Sequence, residues 1–258
     1  MLQALRSSRA TAYVAGLLPV ARPARFLVLC QPRSGSELFV ELLNGLPGVV
    51  CVSEPLRSPA WSLGAVLEGW ARRARLRGAR AWGCKLLIQD LLWHEGRYGP
   101  GADVLRSLVD RGWTIVHLQR RDPLSGALSA LHADTTGRWH QREHEDVSFT
   151  PMTPDVATVL AWLHTMDLQQ RWLDAALASV PYLEVDYHDD LLSPGARRAL
   201  VDRISAALGV PSAPVSSTLR AVAPRDPWQR VDDPEPLRVA LRQTRFAHLV
   251  PDDPDDPD

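Results

Sequence analysis

The residues Phe26-Leu-Val-Leu-Cys-Gln-Pro-Arg-Ser-Gly-Ser-Glu-Leu38 decide how the chain is read. Phe26 to Cys30 is an apolar run of strand length, Gln31 to Ser36 is a tight loop, and Leu38, Phe39, Leu42, Leu43 and Leu46 follow at helical spacing. A strand, loop and helix in that order aim successive backbone N–H groups outward at a helix N-terminus. Free amides and the helix dipole there favour an anion such as phosphate or sulfate. Gly35 lets the backbone come close to an oxyanion, and Arg33 adds a permanent charge with forked donors. A plain turn is the competing reading, because Ser34-x-x-Glu37 has the pattern of a capping box in which Ser34 caps the helix and Glu37 reaches back. The loop alone leaves both open. No Gly-x-x-x-x-Gly-Lys-Ser/Thr occurs in the chain, which counts against ATP-dependent P-loop chemistry.

Outward from this stretch, strand patterns at Val49–Ser53, Arg80–Ile88, Trp113–Gln119 and Tyr182–Tyr187 alternate with helical spacing at Ser62–Leu76, Val104–Asp110, Asp122 onward, Asp155–Ala178, Ala196–Leu208 and Pro236–Phe246. Strand alternating with helix predicts an α/β fold: a single P-loop-like three-layer domain whose central, mostly parallel sheet is covered by helices on both faces. Ligands of such sheets sit at the carboxyl ends of the strands. Residues 1–24 read as an N-terminal extension broken by Pro19 and Pro23, 25–248 as the domain, and 249–258 as a disordered acidic tail.

The formal charge of the 258 residues is −1, and Asp252–Asp258 hold five of the acids, so the rest carries +4. That balance suits one anionic ligand in one pocket and is too small to argue for nucleic acid. Cys30, Cys51 and Cys84 are odd in number and lie in apolar runs, which predicts buried free thiols in a reducing, cytoplasmic compartment. No run approaches the ~20 apolar residues of a membrane span. No His, Cys and Asp set has the spacing of a metal site, and none is required by this reading.

Individual residues stand out against that background. Lys85 lies inside an apolar run, where a buried ammonium needs an anion or a strand end. Asp122 and Pro123 read as N-cap and first helical residue, so Arg121 sits at a strand-to-helix junction with Ser129 further along the helix. Trp139 and His140 share a polar, irregular stretch of the kind that meets ligands, although a Trp anchoring a loop fits equally. Glu54 ends the second strand, close to the first loop in a parallel sheet. The Pro-rich segment 212–236 carries Arg225, Trp228 and Arg230.

The loop Pro32-Arg33-Ser34-Gly35-Ser36, taken with a strand followed by Arg121-Asp-Pro and a Ser eight residues after that Arg, resembles the two phosphate motifs of sulfotransferases that use 3′-phosphoadenosine 5′-phosphosulfate (PAPS). The bacterial trehalose 2-sulfotransferase-like family is similar in more places. These are the same loop, Glu41, Glu54, Gly83-x-Lys85-Leu86, Gly137-Arg-Trp-His140 and a late loop with Trp228. The resemblance spans roughly residues 26–230. It implies PAPS as co-substrate, with Arg33, Ser34, Gly35, Ser36 and Glu37 at the 5′-phosphosulfate and Arg121 and Ser129 at the 3′-phosphate. Arg225 and Trp228 complete the donor set. It implies transfer to a hydroxyl of a carbohydrate, glycolipid or other small metabolite, with Glu54 as general base, His140 as the alternative, Arg33 stabilising charge, and Lys85 and Trp139 near the acceptor.

One departure is plain. Glu37 stands where the family has Thr or Ser, and the expectation is that it turns away as the capping-box partner. An ATP-dependent kinase and a catalytically silent nucleotide-binding or interaction protein are the rival classes. Whether two copies pair as a homodimer is not fixed by the sequence.

Overall fold

A computed structural model describes residues 23–56, 63–92, 100–139, 142, 149–219 and 223–251. Most of the predicted extension, Trp61, His140 and Asp252–Asp258 lie outside the described residues. In chain order the elements are β1 (Ala24–Cys30), α1 (Ser36–Gly45), β2 (Val49–Ser53), α2 (Leu63–Leu76), β3 (Ala81–Leu87), α3 (Gly101–Asp110), β4 (Trp113–Gln119), α4 (Pro123–Thr136), α5 (Val156–Leu177), β5 (Tyr182–Asp186), α6 (Pro194–Leu208) and α7 (Glu235–Arg242). A π-helical turn, Tyr187–Leu191, follows β5, and a short 3-10 turn, Pro227–Arg230, precedes α7.

The five strands form one sheet in the order β2-β3-β1-β4-β5, with every pair parallel. This α/β arrangement is compatible with P-loop-like folds. The connections after β1 and β4 run in opposite directions, to β2 and to β5, so the crevice between β1 and β4 opens beside the loop that follows β1. That is the switch point at which open parallel sheets bind ligands.

Alternate residues of β1 face opposite cores. Leu27 and Leu29 join Trp82, Leu86, Leu105, Ile115 and Leu173 on the side of α2, α3 and α5. Phe26, Val28 and Cys30 join Phe39, Leu42, Val116, Leu118 and Ile204 on the side of α1 and α6. Burial on both faces explains why these strands read as continuous apolar runs. A third cluster is built from Leu124, Leu128, Leu163, Trp228, Leu237 and Phe246 and ties the C-terminal segment to α4 and α5.

Helix starts follow local chemistry. The Asp122 carboxylate accepts from Ser125 N at 2.9 Å with Pro123 behind it, Asp155 accepts from Thr158 N, and Ser193 accepts from Ala196 N. The segment holding Lys85 is strand to Leu87 and helical from Ile88 to Leu92. The last helix ends earlier than its spacing predicts, at Arg242 instead of Phe246. Gln243 N and Thr244 N bond three residues back, and the Thr244 hydroxyl donates to Leu241 O, which closes the helix with tight turns.

Candidate functional site

β1 ends in a loop whose shape is fixed from several sides. The Gln31 amide donates to Met166 O at 2.8 Å, and the Ser34 hydroxyl donates back to Gln31 O at 2.8 Å. Arg33 and Gly35 both have positive φ, 64° and 81°. Glu54, at the end of β2, has the other positive φ among the described non-glycine residues, 46°. Such conformations are uncommon for side chains beyond Cβ and gather where a chain must aim groups at a site. Gly35 is required twice over, because a Cβ there would lie 2.4 Å from the Tyr187 ring.

The expected capping box does not form. Gly35, not Ser34, is the N-cap of α1, and no side chain caps it. Glu37 does not reach back to the helix end as expected but turns toward the sheet: its carboxylate accepts from Lys85 Nζ at 2.6 Å and from the Ser53 hydroxyl at 2.6 Å. Lys85 Nζ also bonds Glu54 at 2.6 Å. The physical reason is that Lys85 is 1% exposed on an inner strand, and a buried ammonium needs a charged partner more than a helix end needs a cap. Burial acts to lower the Lys85 pKa. Cys30 and the two carboxylates more than offset it, so the ammonium is held above its ordinary value.

A cleft opens over the first turn of α1, lined by Gly35, Ser36, Glu37 and Leu38 on one wall. Three guanidiniums converge on it. Arg33 donates from Nε to Ser129 Oγ at 3.1 Å and from NH1 to Trp139 O at 2.9 Å, and lies 5.6 Å from the Trp139 ring. Arg120 donates to Arg33 O at 3.2 Å and to Ser125 Oγ, stacks 4.5 Å from the Tyr187 ring, and buries an Nε with no hydrogen-bond partner. Arg230, 4% exposed, donates to Pro224 O, Ser125 O and Arg225 O.

Every hydrogen-bond acceptor of these three is a neutral oxygen, and the carboxylates that act on them, Asp134 on Arg33, Asp122 and Asp186 on Arg120, and Asp122 and Asp226 on Arg230, do so without a direct ion pair among the described residues. Burial pulls down the pKa of all three, and Arg120 adds repulsion to both neighbours, bringing Arg230 to about 10. His132 and His188 also line the cleft and are pushed down, by burial first and then by Arg33 and Arg138 or by Arg120. The site is therefore poised for an anion.

Of the residues singled out from sequence, Arg33, Gly35, Ser36, Glu37, Ser129, Trp139 and Arg225 line the cleft. Ser34 is buried beneath the loop. Glu54 and Lys85 stand one layer back, behind Glu37. Arg121 is a correction. It turns to the far side of the junction, to Glu184 at 2.8 Å, Asp189 at 3.2 Å and Asp186 at 3.5 Å, while its neighbour Arg120 points into the cleft. Trp228 is another: it is buried in the third core cluster under Arg238 and does not line the cleft. Arg120, Arg230, Tyr187 and the two histidines were not singled out as ligands. Arg230 stood in a segment without periodicity, and Arg120 differs from Arg121 only in which way the chain exits β4.

Glu41 on α1 fastens two further pieces of chain beside the cleft. Its carboxylate accepts from the Ser217 hydroxyl at 2.6 Å and Thr218 N at 3.2 Å, and pairs with Arg142 at 3.5 Å. Arg142 also donates to the Thr218 hydroxyl at 2.7 Å.

Among the described residues, no group of three or more His, Cys, Asp or Glu side chains is arranged to hold a metal ion. In comparison with known proteins, no family model matches this chain, and no curated protein is significantly similar to it.

Proposed function

We propose that the cleft binds PAPS and transfers its sulfuryl group to a hydroxyl of a small carbohydrate, glycolipid or metabolite acceptor. The observation that carries this reading is the convergence of Arg33, Arg120 and Arg230 on the cleft over the uncapped N-terminus of α1, none of them in a direct ion pair among the described residues. Such an arrangement fits a ligand with more than one anionic group. The 5′-phosphosulfate lies against Arg33 and the amides of residues 34–37. The second phosphate lies toward Arg120 and Ser129, in place of the Arg121 that the motif resemblance named. Tyr187, Trp139 and Phe149 offer aromatic surface for the base.

Transfer proceeds in line: the acceptor oxygen bonds to sulfur as the bond from sulfur to the bridging phosphate oxygen breaks. The guanidiniums take up charge on the leaving group. The acceptor proton passes to Glu37, the carboxylate of the Glu37–Lys85–Glu54 cluster that lines the cleft, while Lys85 and, behind it, Glu54 hold its orientation in place of the Glu54 base that the sequence suggested.

Calorimetric titration with adenosine 3′,5′-bisphosphate, AMP and ATP tests this. Binding that requires the 3′-phosphate and is lost in Arg120→Ala, but kept in Arg121→Ala, supports it. Glu37→Gln then keeps binding and lowers turnover by roughly 10²–10⁴ once an acceptor is in hand. Binding of ATP alone, or of none of the three, overturns it.

A further inference from the structure

The opposite end of the sheet carries a second concentration of charge. Helices antiparallel to the strands end where the strands begin, so the C-terminus of α2 lies by the first residues of β3. Arg72, Arg73, Arg75, Arg77 and Arg80 fall within nine residues there, all exposed. Arg25, at the start of β1, donates to the carbonyl of exposed Arg111 just before β4, which brings two more guanidiniums to the same rim. Arg73 lies over the Trp70 ring at 4.9 Å. None of the five on α2 and its exit forms an ion pair with a carboxylate among the described residues, and Glu68, one turn back, pairs with none of them. In the sequence, residues 1–22 before β1 include Arg6, Arg9 and Arg22 and no acid.

A helix C-terminus favours cations, and that alone would account for one or two of these arginines. It does not account for Leu76, which stands among them with 88% of its surface exposed. A large apolar side chain ringed by guanidiniums is the pattern of a surface that lies on lipid: the charges meet headgroup phosphates and the apolar group enters the interfacial layer. A long nucleic acid fits less well, because the chain as a whole carries −1. A lipid surface feels chiefly the face within a Debye length, about 8–10 Å. We propose that this face docks the protein on a membrane surface rich in anionic lipid headgroups, with Leu76 inserted between them. The proposal does not depend on the reaction assigned to the cleft.

Flotation of the full chain with vesicles tests it, using phosphatidylcholine alone and phosphatidylcholine with one-third phosphatidylglycerol, at low and physiological salt. The chain is expected to float only with the anionic vesicles and less as salt rises. Arg72→Ser/Arg75→Ser/Arg77→Ser is expected to weaken that binding on the order of a hundredfold. Leu76→Ser is expected to weaken it several-fold at unchanged charge. Melting temperatures equal to that of the parent certify that the variants are folded. Failure to float with anionic vesicles, flotation unchanged in the triple variant, indifference to Leu76→Ser, or tighter binding to a duplex DNA probe than to vesicles each overturns the proposal.

Discussion

Lys85 is the residue on which the inner layer of the site turns. It is one ammonium shared by two carboxylates, each at 2.6 Å, in a place almost closed to water. Removing it takes away the ammonium that Glu37 and Glu54 share. Breaking a buried pair from one side costs about 3–5 kcal/mol. Lys85→Met is therefore expected to lower unfolding free energy by that amount at neutral pH, read by urea denaturation. The raised pKa gives the effect a pH signature. The stabilisation is complete below 10.5, the ordinary value for lysine, and is lost as pH climbs through the higher folded value. Above neutral pH, parent and variant should thus converge in stability only in strong alkali; convergence already near neutrality would mean that the pair contributes nothing. The same residue shows what a sequence can and cannot reveal. A lysine in an apolar run announces that it needs an anion, but not which one. Its two partners sit 48 and 31 residues away, and local pattern assigned one of them to a helix cap instead.

At the scale of elements, the junction between the β1 loop, α1 and the π-helical turn after β5 sets the floor of the cleft. Gly35 is the point of contact, with φ of 81° and the Tyr187 ring against its α-carbon. Gly35→Ala has to relieve both a left-handed backbone and an overlap at 2.4 Å, and Tyr187 is itself held by Arg120. The expected outcome is a loss of about 1–3 kcal/mol in stability. Calorimetry should also show adenosine 3′,5′-bisphosphate binding weakened at least tenfold; unchanged affinity would mean that the ring need not stay in place.

Elements were the most legible level. Strand and helix periods, and the Asp122-Pro123 start of α4, follow directly from local chemistry. Arg120 and Arg121 were not separable in this way. Both follow the last residue of β4, and the acidic group of Glu184, Asp186 and Asp189 across the sheet decides which of them turns outward. That group comes from β5 and its following turn, more than sixty residues later. Trp228 was misplaced for a related reason: an aromatic in an irregular segment gives no sign of whether it meets a ligand or, as here, the side of α4.

Across the whole molecule, the arginine-lined cleft lies at the carboxyl ends of the strands and the arginine-rich rim at their starts. The central strand β1 links them, with buried neighbours on both sides. Arg120 repels both Arg33 and Arg230, and none of the three has a direct ion pair among the described residues, so a bound polyanion is expected to relieve that repulsion. Adenosine 3′,5′-bisphosphate at a hundred times its dissociation constant is expected to add about 2.7 kcal/mol to unfolding free energy, seen as a rise in melting temperature. AMP at equal concentration should give a smaller rise, and an equal one would show that the second phosphate is not felt. Cys30, Cys51 and Cys84 are buried and free, with burial raising Cys30 to about 11 and Cys84 to about 12, so thiol chemistry has no foothold on the folded surface.

Glu41 gives this architecture a mechanical property. One carboxylate is the shared anchor of the backbone and hydroxyls at Ser217–Thr218 and of the guanidinium of Arg142, segments far apart in the chain. Since Arg142 also donates to the Thr218 hydroxyl, Glu41, Arg142 and Thr218 close a triangle on one side of α1, and a single carboxylate serves as the common fastening of stretches from two distant parts of the chain.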